Sequence, residues 1–589
     1  MKKLIFKTML LSGALLASCS DDIMEAPVQE DYAKSFVELF GPVHPDQDWN
    51  MAAQKSVTVN PGSANEVRIY ASNGNAGYSQ VAHFSNVSST QTFNFVAREN
   101  VNDFMVSVGS MSKHVKNGGS VDFSNATSRT YINADEDWYS VMPQRRTFSK
   151  DYLLQYIKYL PEGEDARNKY DDMYMDFTAV AGEKAVTVYP VYWNAGFYHE
   201  FGIYTVEGGA RTDSVVIWRN KDSNSDAVLV DWDGDDKGYY SPKSVWTGAK
   251  SDNAIIDSKT KVLNVQSEGF TINLPEGTMF GFFIKVYKSN YNKSNHIHTW
   301  YSDAKYNKDG QGHAAFFENN WVEEKKDENG NVIQTIEHKQ TFLGFEDCQV
   351  DPLFDYSANK DVSRFVTDND YNDLMFVIEP APTVINHTAE EWILAVEDLG
   401  TEDDYDFNDI VVGIKHLAGE ETAQFTARAA GGTLPVYLCF AEGEIGGEFH
   451  TWFDPNITPD ANGLYPMINT SSEGYAATPK TIAVNANFNL STFTKGTMGG
   501  LSIKVGKDGK QYKITPPSPS DAPQMICVPK DWKWPKERTR IDRAYPGFTS
   551  WVTENKSTWG NNYESGSWFN NDAMPAVQSL LLWNKTTND

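Results

Sequence analysis

A chain of 589 residues is too long for one core, and its length points to about three or four domains. Hydrophobic residues at 40% and aromatics at 13% supply enough apolar surface to fold, which excludes an intrinsically disordered chain. A formal charge of −28 repels phosphate backbones and anionic surfaces, so nucleic acid is excluded as a partner and cations are favoured.

The chain begins MKKLIFKTMLLSGALLASCS. Lys2, Lys3 and Lys7 precede a short apolar run from Leu10 to Ala17. That run is too short to span a bilayer and has the form of an export signal over residues 1–18. It ends in Leu16-Ala17-Ser18-Cys19, which resembles the lipobox of bacterial lipoproteins. The resemblance implies that Cys19 is acylated and anchors the chain in outer-membrane lipid. Ser20-Asp21-Asp22 is similar to the acidic tag of lipoproteins that face the cell exterior. Beyond Cys19 only Cys348, Cys439 and Cys527 remain, so at most one disulfide can form within the chain.

Residues 19–55 read as an acidic tether followed by a short amphipathic helix. Tyr32, Phe36, Leu39 and Phe40 share one face of it, and Gly41 is its stop. An N-terminal β domain is expected over 56–190, from short apolar runs such as SVTVN (56–60), EVRIYAS (66–72), TFNFVA (92–97) and DFMVSVGS (103–110). A β-sandwich follows over 191–385, with EEKKDENGN (323–331) as an exposed loop or hairpin tip ending in Asn-Gly. A C-terminal β domain takes 386–589 and closes with a helix near 576–583. The predicted fold is all-β and multidomain, with tandem antiparallel, jelly-roll-like β-sandwiches and a few short helices.

Two loops stand out. GFEDC…TDNDYNDLMFVI carries Glu346-Asp347, then Asp368, Asp370, Tyr371, Asn372 and Asp373 before an apolar strand. AVEDL…DDYDFNDIVVGI carries Glu397-Asp398, then Asp404, Asp406, Phe407, Asn408 and Asp409 before another. Both follow E-D…D-x-D-aromatic-N-D, although the gap after the Glu-Asp pair is far longer in the first copy. Carboxylates concentrated at the mouth of a buried strand repel one another unless a cation lies among them. Ca²⁺ takes six to eight oxygen ligands, and side chains at alternate positions of a turning loop can converge on one ion. The absence of clustered His or Cys beside these loops argues against zinc. Tyr371 and Phe407 are expected to point into the core.

The competing reading is that Asp and Asn cap turns here. Two copies with matching flanks, in so acidic a chain, favour Ca²⁺. Neither copy is an EF-hand, because Gly is missing at the sixth loop position. A third stretch, VDWDGDDKG with Asp231, Asp233 and Asp235, suits turn and metal equally.

Enzyme signatures are missing: there is no G-x-S-x-G, H-E-x-x-H, P-loop or G-x-G-x-x-G, and no Cys pair at metal spacing. Among so many acids nothing singles out the two that a glycosidase needs. His450, in GEFHTW, is expected to be a satisfied buried histidine. Trp532, Trp534, Trp551, Trp559 and Trp568 suit sugar binding but suit a sandwich core better.

GTMFGFFIKVY, HTWYSD, FLGFED and DNDYNDLMFVIEP together resemble a bacterial β-domain with the same Asp-Asn signature. WILAVEDLG, DYDFNDIVVGI, GEFHTWF and PKDWKWPKERTRIDRAYPGFTSWV resemble the C-terminal domain of LruC-type lipoproteins. The two resemblances span roughly 270–589 and imply a β-rich surface lipoprotein with calcium-binding loops and no activity to carry over. The expectation is a non-enzymatic binding, adhesion or structural protein, with a glycan or a host or matrix protein as partner. The alternatives are a calcium-dependent extracellular hydrolase and a subunit of a surface filament.

Overall fold

The computed structural model describes residues 23–25 and, from 30 to 574, all but a set of segments; the longest left out are 125–138, 231–238, 242–253, 349–368, 489–500 and 556–572. Cys19, Asp368, the Asp231–Asp235 stretch, Trp559, Trp568 and the helix expected at 576–583 therefore lie outside the described residues. Described strands fall into several sheets with few short helices, an all-β, multidomain sandwich architecture.

The N-terminal unit follows from strict alternation. In Ala52–Asn60, Val57 and Val59 are buried while Ser56 and Thr58 are half-exposed, and Gln91–Arg98 repeats the pattern with Phe93, Phe95 and Ala97. These two strands pair in antiparallel fashion and pack on Glu66–Ser72 and Asp103–Val108, with Phe95 edge-on to Phe104 at 5.0 Å. Strands such as Gly77–Ser85 and Met111–Lys116 join the sheet although their sequences are too polar to announce them.

The middle sandwich is packed on aromatic rings. Tyr198–Glu207, Met279–Tyr287 and Phe177–Val180 form one layer; Val186–Trp193, Leu374–Glu379 and Val332–Phe345 form the other. Phe201 and Phe376 stack between the layers with centroids 4.1 Å apart. The Asn-Gly stretch turns a long hairpin between Ala314–Lys326 and Val332–Phe345, with Gly330 at φ 85.

Two described strands, Val186–Trp193 and Thr383–Asn386, run across the expected boundaries at 190/191 and 385/386. The cut between 190 and 191 passes through the strand Val186–Trp193, whose partners are Leu374–Glu379 and Val262–Ile272. Thr383–Asn386 also lies parallel to Gly77–Ser79, so one sheet runs from the N-terminal unit into the middle sandwich. Such pairings are far apart along the chain and leave no local signal. Nor is the segment at 19–55 only a tether: Tyr32, Phe36, Phe40, Trp49 and Met51 belong to the same hydrophobic core as residues 392–574. The helix itself, Glu30–Phe40, forms as expected and ends at Gly41 with φ 93, but Leu39 is 43% exposed. The C-terminal unit is thus discontinuous, and residues 52–386 are inserted into it.

Candidate metal centres

The second acidic loop joins the neighbouring antiparallel strands Glu390–Val396 and Ile410–His416. Val396 faces Ile410 across the pair, so Glu397-Asp398 leaves one strand where Asp409 enters the other. The Asp398 amide donates to Asp409 Oδ2 at 2.7 Å and closes the mouth. Between them Tyr405 and Phe407 both adopt φ 55, in the left-handed region. This alternation sends Tyr405 and Phe407 into the core, as expected for Phe407, and gathers the carboxylates on the other side. One ligand atom each from Glu397, Asp404 and Asp406 lies within 4.8 Å of the others. Asp406 also accepts from the amides of Asn408 at 3.0 Å and Arg538 at 2.8 Å, while Glu397 accepts from the Phe407 amide.

Burial first, and then the charges of Asp406 and Asp404, push the Glu397 carboxyl well above its usual range. Burial and the neighbours Asp404, Asp409 and Glu537 do the same to Asp406; burial, Asp398 and Glu397 do so to Asp409. Burial and mutual repulsion thus act together against full ionisation of this cluster.

Two features of this centre have no local sequence signal. Glu537 arrives from a distant segment, and Gly431-Gly432 forms a wall without side chains. A Cβ at Gly431 would collide with Asn408 Oδ1 and stand 2.9 Å from Glu537 Oε2; one at Gly432 would lie 2.5 Å from Asp398 Oδ2. Asn408 is fully buried, with its Nδ2 on Asp406 Oδ2 at 2.8 Å and on the Pro535 carbonyl at 3.1 Å. Its Oδ1 has no hydrogen-bond partner among the described residues.

The first loop repeats the backbone. Phe345 faces Leu374, the Asp347 amide donates to Asp373 Oδ2 at 2.7 Å, and the Asn372 amide donates to Asp370 Oδ1 at 3.1 Å. Asn369 and Tyr371 take φ 62 and 57, and Tyr371 is buried as expected. The structure thus brings Glu346, Asp347, Asp370, Asn372 and Asp373 to one strand mouth, with Asp368 outside the described residues.

Its surroundings differ. His199, fully buried on Tyr198–Glu207, bonds Asp347 Oδ2 through Nε2 at 2.9 Å. Its Nδ1 faces the Asn220 amide nitrogen at 2.8 Å, a donor, so Nε2 carries the hydrogen. Burial opposes ionisation of Asp347, but the His199 bond outweighs it and the carboxyl sits below its usual range. Asp373 is pushed well above its range by burial, Asp347 and Glu346. Cys348 donates from Sγ to Asp347 Oδ1 at 3.2 Å, and Glu346, Asp347 and Cys348 could share one ion. His199 and Cys348 thus flank the first loop singly, one from a distant strand and one from within the motif. Trp300 and His313, stacked at 3.7 Å, hold the carbonyls of Asp347 and Glu346.

His450 is the satisfied buried histidine that was expected. Its Nδ1 bonds Glu448 Oε1 at 2.7 Å, and its Nε2 donates to the Gly432 carbonyl at 2.9 Å, which fixes the glycine wall. Trp532, Trp534 and Trp551 are buried in the core and form no sugar platform. Cys348 and Cys439 are half-buried and Cys527 is buried. Among the described residues no helix is long and apolar enough to cross a membrane.

Residues 466–566 match a family described as a domain of unknown function (DUF4842). That stretch contains Glu537, Arg538 and Ile541, which cover the second loop, but not the loop itself. No curated protein and no solved structure matches the chain.

Proposed function

We propose that this is a non-catalytic surface protein, lipid-anchored through Cys19 at the outer membrane, whose acidic loops are stiffened by Ca²⁺. The observation that carries the calcium reading is the convergence of Glu397, Asp404 and Asp406 in a buried site. The donor set fits the ion. Glu397, Asp398, Asp404, Asp406, Asn408 and Asp409 offer only oxygens, which suits a hard cation and not zinc. The Asn408 Oδ1 atom, buried and without a hydrogen-bond partner, is the kind of acceptor such a cation satisfies. Bound there, the ion supplies the positive charge that lets these carboxylates stay ionised together.

The role is structural: the ion fixes the junction between loop and strand and with it the cover formed by residues 535–541. Location and partner rest on the export signal, the lipobox and the resemblance to LruC-type lipoproteins; they support adhesion, with a glycan or a host or matrix protein as ligand. Membrane fractionation of a Cys19→Ser variant reads the anchor, and an unchanged membrane fraction would remove it.

The deciding experiment is thermal unfolding of the mature chain in EDTA, in millimolar Ca²⁺ and in Mg²⁺. An ion at a hundred times its dissociation constant adds about 2.7 kcal/mol to the folded state. A calcium-specific rise in Tm that Asp404→Ala abolishes is the expected result. A Tm indifferent to calcium would leave these acids as turn residues.

A further inference from the structure

Tyr405 stands between Asp404 and Asp406, and it is also the residue on which the N-terminal helix rests. Its ring lies 5.0 Å from Tyr32, 5.9 Å from Phe36 and 5.6 Å from Phe40, the whole buried face of Glu30–Phe40. Its hydroxyl donates to the Tyr32 carbonyl at 3.0 Å, and its own carbonyl accepts from the Ile541 amide at 2.8 Å. Because Tyr405 is held at φ 55, the direction of its ring is set by the loop conformation. That conformation places Asp404 and Asp406 close together, against their mutual repulsion.

We infer that the N-terminal helix is clasped onto the C-terminal unit by the cation: it docks on the loaded second loop and is released when the loop is empty. This inference rests on the calcium reading of that loop, for which the buried, unpartnered Asn408 Oδ1 beside Glu537 is an observation independent of the carboxylates. Three physical points carry it further. A helix of 11 residues is marginal in isolation, so its order depends on docking. The docked face also touches Phe548, which lies 6.4 Å from Phe36 and 5.2 Å from Phe40, and Trp49 packs on Trp551 at 5.0 Å; release therefore exposes a row of aromatic rings. The first loop has Asn369 where the second has Tyr405, so it lacks the ring on which this clasp rests.

Coupling of this kind is reciprocal, so the helix must raise the calcium affinity by the same factor that calcium raises docking. Hydrogen exchange of the full-length protein in EDTA, Ca²⁺ and Mg²⁺ tests it, with calcium binding measured separately by calorimetry. Peptides covering 30–49 are expected to exchange at least about tenfold faster without calcium, while those of the N-terminal unit at 57–123 stay unchanged. Phe36→Ala, which leaves every candidate ligand in place, should weaken calcium binding about tenfold. Tyr405→Phe, which keeps the ring, should retain the clasp. If calcium binds and exchange over 30–49 does not respond, the clasp is wrong and the metal centre stands. If no calcium binds, the metal centre falls and the clasp with it.

Discussion

The two acidic loops share a motif and a backbone, yet they sit in different company. In each, a Glu-Asp pair ends one strand, alternating left-handed residues turn the chain, and the last Asp accepts from the amide of the first Asp at 2.7 Å. The gap inside the motif does not matter, because the closing contacts are made across the strand pair and not along the chain. What differs is the neighbour. His199 donates to Asp347 in the first loop, whereas Asp398, its counterpart, faces Asp409 and the bare wall at Gly432. The motif specifies where the oxygens go, and the surrounding fold decides how much negative charge they carry unaided.

The largest effect that would break this comparison is removal of the histidine. His199→Ala takes the donor from a buried carboxylate and should destabilise the metal-free protein by about 3 kcal/mol. Denaturant unfolding measures it. The first loop should then behave as the second does, with a larger fraction of the loss recovered in calcium. A loss that calcium does not reduce would mean that His199 supports packing alone.

A smaller effect comes from the wall. Gly431→Ala drives a methyl group into Asn408 Oδ1 and should cost about 1–3 kcal/mol by overpacking, together with the calcium response. Gly344→Ala, whose Cβ would meet the Tyr371 carbonyl, should disturb the first loop and leave the calcium response of the second intact. Equal loss of that response in both variants would erase the distinction between the loops.

The effect sharpest in sign is pH dependence in EDTA. Glu397, Asp406, Asp409 and Asp373 have carboxyls raised in the folded state, so the folded protein binds more protons than the unfolded one. Their contribution is fully present below the ordinary values of 3.8 for Asp and 4.5 for Glu. It is lost as the pH rises through the raised folded values, by up to about 1.4 kcal/mol per pH unit for each group. Asp347, held low by His199, acts oppositely: its contribution is present above 3.8 and lost as the pH falls. Melting curves between pH 4 and 8 should therefore decline with rising pH in EDTA and flatten in calcium. A metal-free protein that grows more stable towards pH 8 would contradict the burial of the second cluster.

Much of this was legible from local patterning. Alternation located Glu66–Ser72 to the residue and Gln91–Arg98 within one, because a strand with one buried face writes its period into the sequence. The repeated motif located both strand mouths, and the aromatic between Asp370 or Asp406 and the following Asn was rightly read as a core anchor. What stayed illegible depends on distant partners. Glu537 and His199 carry no mark that ties them to Asp406 or Asp347, and Gly431-Gly432 reads as an ordinary turn until Asn408 is seen against it. Cys348 was in plain view beside Glu346-Asp347, yet a single thiol at no metal spacing attracts no attention. The helix at 30–40 was found as a helix, but nothing within it says that its partner lies near residue 405.

The insertion of residues 52–386 into the C-terminal unit also sets how the molecule answers tension. A pull between the N-terminal helix and the C-terminal core is resisted in shear by Tyr32, Phe36 and Phe40 sliding past Tyr405 and Phe548. The inserted residues lie between the two ends of that contact along the chain, and they touch the C-terminal unit through Gln80 on the Ala418 carbonyl and Arg98 over Trp392. Should the helix slip and these contacts part, the whole inserted length enters the line, and the chain changes from a short stiff link into a long extensible one.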